Sequence, residues 1–481
     1  MCPSRGKGPA VLNAVSPGFV AAAAAIVGDP HLRQDAASLE AYGVDALKQG
    51  RRADLVVLPG SAREVAAIAR LCNRARVPLV VRGGGTGYSG GAVPVQGGVV
   101  VSLERLNRIL EIDEENLLAR VQPHVITGDL QGAVERVGLF YPPDPASLRE
   151  STIGGNVAEC AGGPRAFKYG TTRHYVLGLE AVLPTGRIIR TGSKAVKNVV
   201  GYDLTQLLVG SEGTLAIFTE ITLRLVPKPP VQATLRVAFG GIAEAVSAVT
   251  GLLRARVVPT AIELVDGECL AAVSAYLKTP LAPAGSGAAL VIEVDGMPGQ
   301  VDEEIRRVEA ACRAAGGRDV LRATTDAERE ALWRVRRELS PSLKVISPAK
   351  VNHDVVVPRG RVPALFDLIA GIRERWGLQI PCFGHAGDGN IHVNIMVDPD
   401  DADQGRRARE AARALFDGVV ALEGSISGEH GIGFAKAPYL ALEISPGAMA
   451  LMKRLKRAFD PHGILNPGKI FPPDKPESGR A

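Results

Sequence analysis

The chain has 481 residues, 46% of them hydrophobic and 22% charged, with a formal net charge of +5. That length allows two or three domains, each with its own core, and the modest charge, interleaved in sign and without clustered aromatics, offers no nucleic-acid face. The six cysteines (Cys2, Cys72, Cys160, Cys269, Cys312, Cys382) form no Cys-x-x-Cys pair, which argues against an iron–sulfur cluster, a thiolate zinc site or a disulfide framework and favours a reducing compartment.

No apolar run reaches the ~18 residues that a membrane span needs. Phe19 to Val27, preceded by Arg5 and Lys7, has the outline of a signal peptide, but Gly28-Asp29-Pro30 reads as a helix stop, so a short N-terminal helix and cytoplasmic residence are expected. Next comes a βαβ pattern: a strand over 54–59, a helix over 61–75 and a strand over 77–82. Ser61 with Glu64 three residues later marks the helix start as a capping box.

After the second strand, Arg82-Gly-Gly-Gly-Thr-Gly-Tyr-Ser-Gly-Gly91 matches G-x-G-x-x-G through Gly85, Gly87 and Gly90. That fingerprint works when a helix N-terminus follows to meet the pyrophosphate. Here Pro94, Gly97 and Gly98 forbid a helix before the strand over 99–103, so a Rossmann fold is disfavoured. The loop can still cradle phosphates, because successive unhindered N–H groups can converge on an anion as a nest. Glycine-rich segments recur at 151–163, 168–172, 197–203 and 210–214, which suggests a long ligand threaded across one domain.

Pro227-Lys-Pro-Pro230 is a stiff linker. Beyond it, strands over 233–239, 260–265, 288–295 and 318–323, with helices over about 242–256 and 300–315, give the βαββαβ order of a ferredoxin-like sheet. A helix from Asp326 leads to Trp333-Arg-Val-Arg336, and a strand follows Lys350-Val-Asn-His-Asp354. Then His385-Ala-Gly-Asp-Gly-Asn-Ile-His392 and Gly428-Glu429-His430-Gly431 gather three of the eight histidines with a carboxylate, the donor set of a divalent metal site. Branched residues alternate through Ile391–Val397, as in a half-buried strand, so His392 and Asn394 share the other face. Gly384, Gly387 and Gly389 can fold His385 back beside His392, and the glycines around Glu429 and His430 let those neighbours diverge, one to a metal and one to substrate. Near the end, Gly463-Ile-Leu-Asn-Pro-Gly468-Lys469 mimics a P-loop, but Ile470 and the prolines exclude one.

Taken together, the glycine segments resemble the flavin domain of the FAD-linked oxidases typified by vanillyl-alcohol oxidase. The His385–His392 and Gly428–Gly431 motifs narrow the resemblance to the branch of glycolate oxidase large subunits, D-lactate dehydrogenases and D-2-hydroxyglutarate dehydrogenases, from about Leu39 to Ile470. It implies an α+β fold: a two-subdomain FAD-binding domain over 51–228, a ferredoxin-like antiparallel cap carrying the metal over 231–445, an N-terminal helical segment over 1–50, and a C-terminal helix and tail over 446–481 that return to the flavin domain. It further implies that Arg82, Gly83, Gly84, Gly85, Thr86, Gly87, Ser89 and Gly90 hold the FAD pyrophosphate. Pro143, Asp144, Ser151, Thr152, Gly155, Asn156 and Gly162 would line the ribityl chain and ring, with Glu212, Gly213 and Ile217 behind and Asn466 returning to the flavin. Some relatives attach FAD through a histidine in the first glycine loop; Thr86, Tyr88 and Ser89 stand here, so the FAD is expected to be non-covalent. Cys160 occupies the place where relatives usually carry asparagine, which removes a polar contact expected there.

The expected activity is oxidation of a D-2-hydroxy acid to the 2-oxo acid, with hydride passing to flavin N5. A divalent metal, Zn²⁺ or Mn²⁺, on His385, His392 and Glu429 would acidify the alcohol, and His430 would take its proton. Arg336, with Lys350, would clamp the substrate carboxylate, and Asn394 would orient substrate or ligand. With no cluster or haem motif of its own, the chain implies an electron acceptor: an iron–sulfur subunit, an electron-transfer flavoprotein, a quinone or a cytochrome. Through that acceptor it would stay cytoplasmic or peripheral at the inner membrane. A metal-dependent hydrolase and a redox-neutral transferase on the same flavin fold are the alternative readings.

Overall fold

The N-terminal helix forms where its sequence predicts. In the computed structural model, which describes residues 12–279 and 281–472, α1 (Pro17–Val27) starts at Ser16, whose hydroxyl accepts the Phe19 N–H at 3.2 Å, and stops at Gly28. Cys2, Arg5, Lys7 and the tail beyond 472 lie outside the described residues.

β1 (Leu32–Arg33), β2 (Leu55–Val57), α2 (Ala62–Ala75), β3 (Leu79–Arg82) and β4 (Val99–Ser102) follow, and the strands form a sheet ordered β1-β2-β4-β3. Both β2 and β3 run parallel to β4, as a βαβ crossover requires. Ser61 accepts the Glu64 N–H at 3.2 Å, while the Glu64 carboxylate reaches the N–H of Gly60 at 2.8 Å. No helix lies between β3 and β4, so the glycine loop leaves the sheet without a helix dipole behind it. The 463–469 segment forms no P-loop either. It seals the open edge of β3: Leu79 N–H donates to the Ile464 carbonyl at 2.8 Å and Asn466 N–H to the Leu79 carbonyl at 2.7 Å.

A second sheet takes the order β5-β6-β9-β7-β8, from β5 (Ile109–Asp113), β6 (Leu118–Val121), β7 (Val176–Val182), β8 (Ile188–Gly192) and β9 (Ile217–Arg224). Between β6 and β9 the chain inserts α3 (Thr127–Glu135), α4 (Ile153–Glu159) and α5 (Leu204–Leu208). Packing of α4 against β9 through Ile153, Val157, Ala216 and Phe218 gives this half its core.

After the proline linker come β10 (Val231–Phe239), α6 (Ile242–Arg254), β11 (Ala261–Asp266), α7 (Gly267–Leu277), β12 (Ala288–Gly296), α8 (Pro298–Ala314), β13 (Arg318–Ala323), α9 (Asp326–Ser342), β14 (Ala349–Val356), α10 (Val362–Trp376), β15 (Cys382–His385), β16 (Asn390–Val397), α11 (Ala402–Ala421) and α12 (Pro446–Phe459). The four strands of the expected ferredoxin-like motif are present in the order β13-β10-β12-β11, but the sheet continues through β15, β16 and β14 to seven antiparallel strands. The βαββαβ reading also missed α7, which Asp266 caps by accepting the Cys269 N–H at 2.9 Å. Extension happens because β11 would otherwise leave a bare edge, and β15 pairs with it.

That extension overturns the half-buried reading of β16. Its first seven residues are all buried. Ile391, Val393 and Ile395 join the core under α6, α8, α10 and α11. Met396, on the opposite face, packs with Phe383, Leu339 and the α7 residues Cys269 and Val273. His392 therefore emerges into a covered space rather than into solvent. Leu290, fully buried in central strand β12, tests the larger core: Leu290→Ala is expected to cost about 2–5 kcal/mol, read as a lowered urea midpoint at unchanged slope.

Candidate active site

Strand register brings the His385 and His392 imidazoles together. His385 ends β15, His392 lies on β16, and the two strands pair so that Phe383 opposes His392 and His385 opposes Asn390. The rings sit 5.4 Å apart, nearly perpendicular at 81°. Glu429 Oε1 lies 3.5 Å from His385 Nε2 and 3.5 Å from His392 Nε2, and one ligand atom from each of the three residues falls within 4.8 Å of the others. Two imidazoles and a carboxylate converging in this way fit a divalent cation.

A residue absent from the sequence reading orients that trio. Glu263, on β11, lies directly across from His385 and is fully buried. Its Oε1 is 2.5 Å from His385 Nδ1, and its other oxygen accepts Arg336 Nε. Burial alone would raise its pKa, yet the Arg336 guanidinium and then His385 hold it down at about 2. With Nδ1 engaged, His385 turns Nε2 toward Glu429, the kind of support a ligating histidine has in metal sites. Burial pushes His392 down to about 3, so it is neutral and able to ligate at ordinary pH.

Glu429 and His430 do diverge, and Asp354 explains how. This buried β14 carboxylate accepts the N–H groups of Gly428, Glu429 and His430 on Oδ2 at 2.9, 2.6 and 2.9 Å. Its Oδ1 takes Lys436 Nζ and lies 3.2 Å from His430 Nδ1. Burial opposes the negative charge, but His430, Lys436 and these N–H groups keep Asp354 well below the usual carboxylate range. His430 stacks on His392 at 5.5 Å and meets the Tyr88 ring at 5.2 Å, tilted by 32°.

Two cavities meet here. One of about 750 Å³ is lined by 82–88, by parts of 150–162 and by Glu212, Gly213 and Ile217; the other, of about 390 Å³, is lined by Arg336, Lys350, Asn352, His385 and His392. Tyr88, Glu429 and His430 border both. The larger volume falls in the range of cofactor sites, about 300–1,000 Å³. Its walls are close backbone: a Cβ on Gly84 would come 2.5 Å from the Glu150 carbonyl oxygen, and Gly85 has φ +68°. The residues present therefore fit an extended dinucleotide.

Among the sequence-assigned flavin residues, Arg82, Gly83, Gly84, Gly85, Thr86, Gly87, Ser151, Thr152, Gly155, Asn156, Gly162, Glu212, Gly213 and Ile217 line the larger cavity. Ser89, Gly90, Pro143, Asp144 and Asn466 do not. The Ser89 carbonyl accepts the Phe434 and Ala435 N–H groups, and a Cβ on Gly90 would strike the Phe434 ring, so this end of the loop joins the back half of the chain. The Pro143 carbonyl accepts Gln131 Nε2 at 2.9 Å. Asp144 pairs with Arg165 and borders the smaller cavity, and burial pushes it up to about 7. Asn466 donates to the carbonyls of Gly91 at 2.9 Å and Glu212 at 2.8 Å, tying two cavity loops from behind.

Two glycine segments do other work than the ligand contact expected of them. Lys168 Nζ reaches Asp295 at 2.5 Å and Tyr169 hydroxyl donates to it at 2.8 Å, joining the front half to β12. Residues 197–203 point outward, with Val199 97% and Tyr202 95% exposed. Cys160, at φ +55°, turns its sulfur to Thr171 Oγ1 at 3.5 Å rather than into the cavity.

Arg336 lies over the Phe383 ring at 4.9 Å and gives one N–H to Glu263. Lys350 Nζ donates to Ser340 Oγ at 2.7 Å, and burial draws it down to about 8. Asn394 is fully buried: its amide nitrogen donates to the Pro381 and His392 carbonyls at 3.1 and 3.2 Å, and its oxygen accepts from Asn352 at 2.8 Å. Asn352, not Asn394, faces the smaller cavity.

Comparison with known proteins gives the family and the fold. Residues 53–192 match the FAD binding domain model and residues 228–470 match the C-terminal domain of FAD linked oxidases. Glycolate oxidase subunit GlcD of Bacillus subtilis is 44% identical over 434 residues, covering 90% of this chain and 92% of that one. D-lactate dehydrogenase of Anaerostipes hadrus is 37% identical over 429 residues, covering 87% and 90%. Among solved structures, p-cresol methylhydroxylase superposes with a TM-score of 0.80 at 20% identity, covering 96% of this chain and 98% of that one. 4-Ethylphenol oxidase from Gulosibacter chungangensis gives 0.77 at 22%, covering 96% and 99%. At those identities the structural likeness concerns the fold.

The role of Glu263 is open to test. Glu263→Gln is expected to weaken binding of Zn²⁺ or Mn²⁺ by about 10–100-fold, measured by competition with a chromogenic chelator, while Glu429→Gln removes a ligand and weakens binding further.

Proposed function

Because this chain belongs to the FAD-linked oxidases, we propose that it oxidises a D-2-hydroxy acid of the glycolate, D-lactate or D-2-hydroxyglutarate type to the 2-oxo acid. One observation carries the reading: His430 and Glu429 border both the glycine-lined cavity and the smaller cavity holding Arg336 and Lys350. A hydrolase would leave the larger cavity without a use.

Bound FAD supplies the acceptor for the C2 hydride, and a divalent cation, Zn²⁺ or Mn²⁺, on His385, His392 and Glu429 supplies the charge that acidifies the alcohol. The protein does the rest. Arg336 and Lys350 bind the substrate carboxylate, Arg336 with the N–H groups that Glu263 leaves free. Glu263 also holds the His385 ring so that its Nε2 faces the trio. His430 Nε2 receives the hydroxyl proton. Asp354, 3.2 Å from Nδ1, fixes the tautomer and steadies the imidazolium that forms. The Tyr88 ring lies against His430 where the two cavities meet. Asn352 is the nearer candidate for orienting substrate, with Asn394 positioning it.

FAD binds non-covalently, since the 82–91 loop has no histidine. Its electrons pass to an iron–sulfur subunit, an electron-transfer flavoprotein, a quinone or a cytochrome. Among the described residues no helix is long and apolar enough to cross a membrane, and we place the chain in the cytoplasm or at the membrane periphery through that acceptor.

Anaerobic bleaching of the flavin against a panel of D- and L-2-hydroxy acids tests the reading, with bleaching by D-enantiomers expected and lost on chelation. His430→Ala is expected to slow bleaching by about 10²–10⁴-fold with FAD retained. Unslowed bleaching after thorough metal removal would sink the metal's role, and unslowed bleaching in the variant would sink His430 as base.

Lys350 gives a pH signature. Its pKa is lowered to about 8 in the folded chain, so the cation that binds the carboxylate is present below that pH and lost above it. The expected result is a kcat/KM that falls as pH rises through about 8. Lys350→Arg, which stays charged, should shift that fall to higher pH.

A further inference from the structure

Glu159 ends α4 with its carboxyl in the wall of the larger cavity, and nothing in the proposed chemistry uses it. Its Oε2 is shielded from solvent and has no hydrogen-bond partner. Glu212 stands beside it: a Cβ on Gly431 would run into Glu159 Oε2 and lie 3.2 Å from Glu212 Oε1, so both carboxyls crowd one backbone atom. Glu212 is the satisfied member, accepting the N–H groups of Ile432 at 2.9 Å and Gly433 at 2.6 Å.

Two carboxyls this close in a buried wall cannot both ionise cheaply. The N–H donors fix the anion on Glu212, which leaves the proton on Glu159. The other charged groups facing Glu159 are Asp45 and Lys469. Asp45 adds a further negative neighbour as it ionises, and Lys469 spends its ammonium on the Val93 carbonyl and on Asn466 Oδ1 at 3.2 Å. Burial first, and Glu212 next, push Glu159 well above the usual carboxyl range. Oε2 is turned to Gly431 and Glu212, while Oε1 lies beside Gly91 in the lining of the same cavity, so the O–H that can reach a ligand there is on Oε1.

We propose that Glu159 is a flavin-binding residue kept as a neutral carboxylic acid, whose O–H donates a hydrogen bond to an acceptor atom of bound FAD. Neutrality matters here because the cofactor gains negative charge when it is reduced, and an ionised Glu159 would repel it. The inference rests on FAD occupying this cavity and requires neither the metal nor any particular substrate.

FAD titration of the apoprotein, followed by flavin fluorescence, tests it without turnover. Glu159→Gln keeps a neutral donor and is expected to bind within about threefold of the unsubstituted chain, whereas Glu159→Leu is expected to bind about tenfold more weakly. Infrared difference spectra at neutral pH, unsubstituted protein minus Glu159→Gln, should show the carbonyl stretch of one protonated carboxyl beyond that of Asp144, shifted when FAD binds. Leucine binding FAD as tightly as glutamate overturns the proposal, and so does a Glu159→Gln spectrum that has lost no carboxyl band. Should the leucine variant not fold, the infrared band decides alone, and its absence from the unsubstituted protein counts against the neutral acid.

Discussion

A carboxylate with no exposed surface anchors the candidate site. Glu263 joins two strands and a helix: it sits on β11, opposes His385 on β15 and receives Arg336 from α9. Removing one partner from such a buried ionic cluster leaves an uncompensated charge, which typically costs about 3–5 kcal/mol. The three groups therefore hold one another in place. That mutual constraint sets the His385 ring beside His392, and it keeps a guanidinium at the smaller cavity without leaving its charge unbalanced.

The 428–433 loop is the second constraint, and it is governed from both halves of the chain. Asp354 in the cap sheet gathers three successive N–H groups at its start, while Glu212 in the front half takes those of Ile432 and Gly433. Phe434 and Ala435 then dock on the Ser89 carbonyl. A short segment carrying the proposed metal carboxylate and the proposed base is thus pinned to the cofactor cavity and to the metal strands together. Misplacing it by an ångström would separate those roles, which explains why so many buried charges are committed to a loop.

Much of the site was legible because its signals are local. Glycine spacing before β16 announces the return of His385 toward His392, and the neighbouring Glu429 and His430 announce two diverging side chains. The helix-free passage from Pro94 to Gly98 excludes a Rossmann loop before any coordinates are known. What stayed hidden depends on partners distant in sequence. Glu263, flanked by Ile262 and Leu264, reads as the polar face of an ordinary strand until β15 pairs with β11. Asp354 and Glu159 likewise gain their roles only from residues 428–431. The 197–203 segment shows the reverse error: its composition resembles the cavity loops, yet it faces outward and touches neither cavity.

Sequence by itself determined most of the elements, the helix-free glycine loop, the His385, His392 and Glu429 donor set proposed for a metal and the family resemblance, since each is assembled from periodicity or spacing within short segments. Tertiary structure decided the rest: that four cap strands become seven, that β16 is buried on both faces, that Asn352 replaces Asn394 at the cavity, and that Ser89 and Asn466 brace the cofactor loops from outside. The physical reason is that strand pairing and charge burial are set by which surfaces meet. A carboxylate's environment, and with it its protonation and its use, does not exist until those surfaces have closed around it.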